Sequence, residues 1–186
     1  ANYLAELDST QVKTVAFINQ EALADAALPA LACDEMVMVD GARIGGPGEY
    51  QPSQKELQNL EDTLGPIAQA KGRSWSLMKA MVAPKLQVFR YQQADTGEER
   101  YLCRDEWNQL KDQQQWVEQQ ELSVVEGLLS GKAQEIAISR KTVQNLDELK
   151  VLYQLPDELE LAETPRLTQA LDRLVAQPWF VSTLLF

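Results

Sequence analysis

Apolar and polar positions fall into short blocks along the first half of the chain, and the block lengths predict the elements. Residues 2–10 read as a helix, and "VKTVAFIN", 12–19, is a β-branched apolar run that predicts a buried strand. "EALADAALPALAC", 21–33, is rich in alanine and leucine and predicts a helix, with Pro29 disturbing it or marking its first turn. "EMVMVD", 35–40, predicts a second buried strand, followed by a loop, "GARIGGPGEYQP". The crossover between the two strands is long enough for a βαβ unit, so 12–18 and 35–40 are expected to be parallel neighbours. From Lys55 to Lys71 the residues Leu57, Leu60, Leu64 and Ile67 recur at helical spacing, which predicts a helix with one apolar face, interrupted at Gly65 and Pro66.

A second helix is predicted over 74–82, before Pro84. "KLQVFRYQQADTGEERYLCR", about 85–104, reads as two extended runs joined by "ADTGE", a β-hairpin. The glutamine-rich "QLKDQQQWVEQQEL" reads as a solvated connection with Trp107 and Trp116 as anchors. "SGKAQEIAIS" and "VQNLDELKVLYQL" each predict a helix, the second with Leu146, Leu149 and Leu152 on one face. After the acidic "PDELELAETP", residues 165–176 predict a last amphipathic helix with Leu167, Leu171 and Leu174 inward. The alternation of strand and helix places the chain in the α/β class.

Composition then removes several kinds of chemistry. With 186 residues, 45% of them hydrophobic, the chain is long enough for one core. Lys plus Arg number 17 against 28 Asp plus Glu, a net charge of -11, and no basic stripe is interleaved with aromatics, so nucleic acid is excluded as a partner. The absence of histidine removes every Ser-His and Cys-His arrangement and the commonest metal ligand. Cys33 and Cys103 fit no metal-binding spacing; Cys33 reads as a small core residue, and a disulfide between the two has no support in the sequence. No cofactor or metal is expected. The chain starts at Ala1 and reads as a piece of something longer. Its end, "PWFVSTLLF" from Pro178, is shorter than the roughly 20 apolar residues of a membrane span. It reads either as the first turns of such a helix or as a tail docked on this domain or a neighbour.

The order strand, small-residue helix, strand and glycine loop in "VKTVAFINQEALADAALPALACDEMVMVDGARIGGPGE" resembles the ClpP and crotonase superfamily. "MVAPKLQVFRYQQADTGEERYLCRDEWNQL" looks like the insert of long, membrane-bound NfeD-type serine proteases of the ClpP class, and "SGKAQEIAISRKTVQNLDEL" is similar to the helix, strand and closing helix of that group. The resemblance covers most of residues 1–153. It implies a partial ClpP-like domain over 1–155, with its first strands missing and a hairpin insert. Residues 156–186 would then be an acidic link, a helix and a hydrophobic tail leading towards a membrane segment, with the soluble domain outside the cytoplasm.

The same resemblance implies a Ser-Lys protease, in which a desolvated lysine takes the proton of a serine nucleophile. The ungapped match places Ala24 at the serine and Gly65 at the lysine, so both halves of the dyad are absent and no catalytic residue is assigned. Lys71 and Lys79 are displaced from the lysine position, and the family's oxyanion phrase has no counterpart. Asp25, beside the nucleophile position, reads as a carboxylate at a helix N-terminus rather than a substitute acid or base. Asp34 and Glu35 read as the helix-to-strand turn, and Arg43 as a partner for one of these carboxylates. The expected function is that of an inactive protease-like domain serving assembly or polypeptide binding, with self-association implied by the uncovered sheet edge. Two alternatives stand beside it. One is an active protease whose nucleophile lies outside this piece; the other is a crotonase-like acyl-CoA enzyme with Glu49 as base.

Overall fold

The computed structural model describes residues 2–48, 54–83 and 85–159. Helix α1 (Asn2–Glu6) leads to strand β1 (Val15–Ile18), and β3 (Glu35–Val39) lies beside β1 in parallel, with Val15 opposite Glu35 and Ile18 opposite Met38. The expected βαβ crossover is therefore present. A third parallel strand, β9 (Lys141–Val143), pairs with the other side of β3. Met36, Val37 and Met38 are fully buried, as a strand covered on both faces requires.

The crossover itself differs from the single helix predicted over 21–33. It opens with strand β2 (Glu21–Ala22), turns through one 3-10 turn (Ala24–Ala26), and only then forms α2 (Ala27–Ala32). The small side chains that suggest helix serve a different end here: they let the chain lie against the glycine loop. That loop contains strand β4 (Arg43–Ile44), parallel to β2 and antiparallel to β8 (Leu128–Leu129), so a second small sheet stands at the end of the first.

Helix α3 (Gln54–Lys71) runs through Gly65 and Pro66 without a break, contrary to the predicted interruption. Leu64 lies on one side of the pair and Ile67 and Ala68 on the other, all buried, while Pro66 is exposed. Burial on both flanks offsets the hydrogen bond that proline removes. The side chains of Leu57 and Leu60 lie outside the described residues. Helix α4 (Trp75–Val82), capped by the Ser74 hydroxyl accepting from the Leu77 N–H, is buried from Ser76 to Val82 and packs on α2, α3 and the 3-10 turn.

The predicted hairpin is present as β5 (Val88–Gln93) and β6 (Glu99–Cys103). The glutamine-rich stretch is not merely a solvated connection: after α5 (Arg104–Gln109) it supplies strand β7 (Trp116–Leu122), antiparallel to β5. Its pattern hides this, because only Trp116 and Leu122, at its two ends, are buried. Trp116 and Trp107 do anchor it. Trp107 stacks on Tyr91, ring centroids 4.1 Å apart, and Tyr91, Leu102 and Trp116 form a core separate from the main one.

Helix α6 (Ser130–Glu135) precedes β9, and α7 (Leu146–Tyr153) follows it. Leu149 is buried, but Leu146 is 40% exposed, so the three leucines of α7 do not share one buried face. The chain divides into two units at Leu149. In the second, the Lys150 ammonium donates to the Asp157 carbonyl (2.7 Å). The helix expected over 165–176 and the tail from Pro178 lie outside the described residues. Among the described residues no helix is long and apolar enough to cross a membrane.

Two glycines with opposite surroundings yield a paired prediction. A Cβ on Gly127, whose φ is +79°, would stand 2.3 Å from the Gly45 carbonyl oxygen, whereas a Cβ on Gly65 would meet nothing within 4 Å. In urea unfolding, Gly127→Ala is expected to cost about 3 kcal/mol, from backbone strain together with the clash. Gly65→Ala should instead change stability by no more than about 0.5 kcal/mol, because the gain in helix propensity is opposed by the contact of a Cβ with the ring of Pro66 that follows it. Equal effects of the two changes would refute this packing.

Candidate functional site

The turn that holds Ala24 is built from the backbone outward. Leu23 is extended, and Ala24 then enters the left-handed region at φ +46° as the first residue of the 3-10 turn. A residue with a Cβ adopts this region at a cost of about 1–2 kcal/mol. Two backbone hydrogen bonds hold it there: the Gly45 N–H donates to the Ala22 carbonyl (2.9 Å), and the Ala24 N–H donates to the Gly46 carbonyl (3.2 Å). Ala24 is only 3% exposed, and a Cβ on Gly48 would come within 2.8 Å of its methyl group. The glycine loop is therefore the lining of this turn. From the other side α4 packs against it, and Met81 of α4 fills the space beside Gly45 that a side chain there would need.

Asp25 follows, exposed, in the middle of the 3-10 turn. It is not at the N-terminus of the helix, as expected, because the helix proper starts two residues later. Gly65 lies midway along α3, which packs on α1, α2 and α4. Lys79 is buried within α4, its ammonium 4.8 Å from the centroid of the Trp75 ring. Glu49 lies outside the described residues. Among the described residues no group of acidic and cysteine side chains is placed to hold a metal ion.

The charged centre of the domain sits at the other end of α2, where sequence reasoning saw only a turn. The Asp34 carboxylate accepts from the Thr14 N–H (2.7 Å), the Thr14 hydroxyl (2.6 Å) and the Lys71 ammonium (2.7 Å). Thr14 in turn accepts from the Asp34 N–H (2.8 Å). The Lys71 side chain is 5% exposed and that of Asp34 12%, so this is a largely buried ion pair. Burial works against the ionised form of Asp34, but the hydrogen bonds from Lys71 and Thr14 outweigh it and hold the carboxyl well below the ordinary carboxylate range.

Glu35 bonds Lys13 (2.6 Å) and Arg140. The carboxylates thus take Lys71, Lys13 and Arg140, and the expected pairing with Arg43 is not formed. Arg43 instead belongs to β4, where its N–H donates to the Gln20 carbonyl (2.8 Å). Cys33 and Cys103 are both free and buried, so no disulfide joins them, and burial pushes the Cys33 thiol up, away from reactivity at neutral pH. The arrangement at Asp34 is structural: it ties the end of α3 to the start of β3 and leaves no group free to attack or to move a proton.

No protein-family model matches the chain, and no curated protein does. Among solved structures it is similar to a mutant of a membrane-bound stomatin-specific protease, at 11% sequence identity and a TM-score of 0.43. The match covers 78% of this chain and 57% of that one, so the chain spans little more than half the length of its neighbour. At this level the likeness says nothing about this chain's activity.

The depressed acidity of Asp34 fixes the sign of a pH effect. Its folded-state pKa lies below the unfolded value of about 3.9, so its stabilising contribution is complete at neutral pH and fades as the pH falls through the acid range. Lys71→Met is expected to cost about 3 kcal/mol at pH 7, because it leaves a buried carboxylate without its cation. Asp34→Asn should be less stable than the parent at pH 7 and converge on it below about pH 4. Urea midpoints measured across pH check both, and a constant gap between Asp34→Asn and the parent down to the lowest pH would contradict the assignment.

Proposed function

We propose that this chain is a catalytically silent, ClpP-class serine-protease-like domain of a membrane-anchored NfeD-like protein, serving assembly or polypeptide binding on the extracytoplasmic side. The observation that carries the reading is the turn at Ala24. Its backbone is strained, buried and hydrogen-bonded to the glycine loop, and it stands where the sequence resemblance places the serine. Strain of this kind persists only where the surroundings over-determine it, and it concentrates at functional sites. Here the shape of a nucleophile turn is paired with a methyl group.

Acyl transfer by a Ser-Lys pair needs an attacking oxygen and a base within reach of it. Ala24 supplies no oxygen and Gly65 no base. Restoring one partner leaves the other absent. A crotonase-like reaction has no support beyond Glu49.

A fluorophosphonate probe tests the silence directly. The chain itself, Ala24→Ser and Gly65→Lys are each expected to show no labelling above background over hours. Time-dependent labelling that maps by mass spectrometry to one serine, and disappears when that serine is replaced, would overturn the reading. The assembly role has its own measurement, since light scattering is expected to show self-association as concentration rises, and a monomer at every concentration would remove it.

A further inference from the structure

A cleft of about 550 Å³ lies away from the Ala24 turn, between strand β6, the start of α4 and the end of α6. Four consecutive residues of β6, Glu99 to Leu102, line it. Side chains on a strand alternate between faces, so a run of four against one cleft means that the edge of the strand, not a face, borders it. β6 is also the outer strand of its sheet, with β5 on one side only.

The hydrogen-bonding groups on that edge follow from the ladder. The Gln93 N–H donates to the Glu98 carbonyl, so residues 98, 100 and 102 face β5, and Glu99, Tyr101 and Cys103 face away. Two of the outward groups are taken: the Tyr101 carbonyl accepts from the Ser74 hydroxyl (2.7 Å), and the Cys103 N–H donates to the Ser76 hydroxyl (2.7 Å). Ser74, which caps α4, and Ser76 within it thus close the far end of the edge. The Glu99 N–H, the Glu99 carbonyl and the Tyr101 N–H remain open, a short row of donor, acceptor and donor that matches an extended backbone.

Floor and rim define the side chains of the occupant. Leu77, Met78 and Ile136 are buried at the floor, while Glu99, Glu106 and Glu135 stand around it. Glu99 is paired with Arg90 and Glu135 with Lys132, but Glu106 accepts only from the Ser76 hydroxyl. The two lining arginines are committed elsewhere: Arg73 donates to the Leu31 carbonyl, and Arg100 pairs with Glu98 and lies over the Trp116 ring. Of the three carboxylates at the rim, only Glu106 has no cationic partner, and it stands over an apolar floor.

We propose that this cleft binds an extended polypeptide segment of alternating basic and apolar residues, added as a strand to the edge of β6. Main-chain hydrogen bonds to Glu99 and Tyr101 hold it, its apolar side chains enter the floor, and a lysine or arginine meets Glu106, the rim carboxylate without a cation of its own. The site gives the polypeptide-binding role proposed above a location, but it does not depend on Ala24 being inert, and its test is separate from the fluorophosphonate test.

The probe is a fluorescent octapeptide of alternating lysine and valine, titrated against the full chain by anisotropy, with alternating glutamate and valine as its counterpart. Saturable binding at least about tenfold tighter than the counterpart is expected. N-methylation of every valine amide, or of every lysine amide, blocks one edge of the peptide strand. One set should weaken binding about tenfold or more and the other should change it by no more than about twofold, because only one edge meets β6. Tyr101→Pro, which removes an N–H that does not serve β5, should weaken binding about tenfold with the circular dichroism spectrum retained. No saturable binding, equal losses from the two methylated peptides, or equal affinity for the glutamate peptide would each overturn the proposal. The methylated peptides keep the test valid if the proline variant does not fold.

Discussion

Backbone has to touch backbone where β4 ends, and much of the domain is arranged around that contact. Gly45 and Gly46 pass so close to Gly127 that no side chain fits between them, and Gly45 also abuts Met81 of α4. Because the chain can cross itself there, β4 can lie between β2 and β8, and the Gly46 carbonyl can reach the Ala24 N–H. The left-handed conformation of Ala24 is thus a downstream result of glycine packing about twenty residues later in the sequence. Strain at one alanine is maintained by contacts spread over three separate segments.

The two ends of α2 have divided the work of the domain. At its start, the fold keeps a tight, strained turn whose buried residue, Ala24, carries no ionisable group and whose one carboxylate, Asp25, is exposed. At its end, Asp34, Thr14 and Lys71 form a closed set of hydrogen bonds that joins the approach to β1, the start of β3 and the last turn of α3. A buried pair of this kind is poor evidence of net stabilisation, since removing both charges together often costs little. It does fix which residues meet, because neither charge has another partner of equal geometry.

Much of the first fifty residues was legible because burial leaves a plain mark: the apolar runs Val15–Ile18 and Met36–Val39 within "VKTVAFIN" and "EMVMVD" lie in parallel strands. The hairpin was legible from its turn residues. β7 was not, since a strand whose middle faces solvent shows neither an apolar run nor clean alternation. The 3-10 turn at Ala24 was hidden for a different reason. Alanine-rich sequence favours helix locally, and here tertiary hydrogen bonds from the glycine loop override that preference. Ala24 and Gly65 could be located from the resemblance, but nothing in the sequence pairs Asp34 with Lys71, 37 residues apart. The cleft at β6 was equally invisible, because it depends on which edge of a strand is left open.

The hairpin carries a core of its own. Tyr91 stacks on Trp107, its hydroxyl donates to Glu118 (3.0 Å), and Arg104 grips the same carboxylate through both terminal nitrogens. Burial and the neighbouring Glu118 push the Tyr91 phenol up to about 12, so this hydroxyl keeps its proton at any physiological pH. The lobe is also tied to the body, since Val88 and Leu122 belong to the main core and Ser74 and Ser76 bond β6. A substitution on the outward face of the lobe therefore meets a sheet held twice, by its own aromatic stack and by the core it shares with α4.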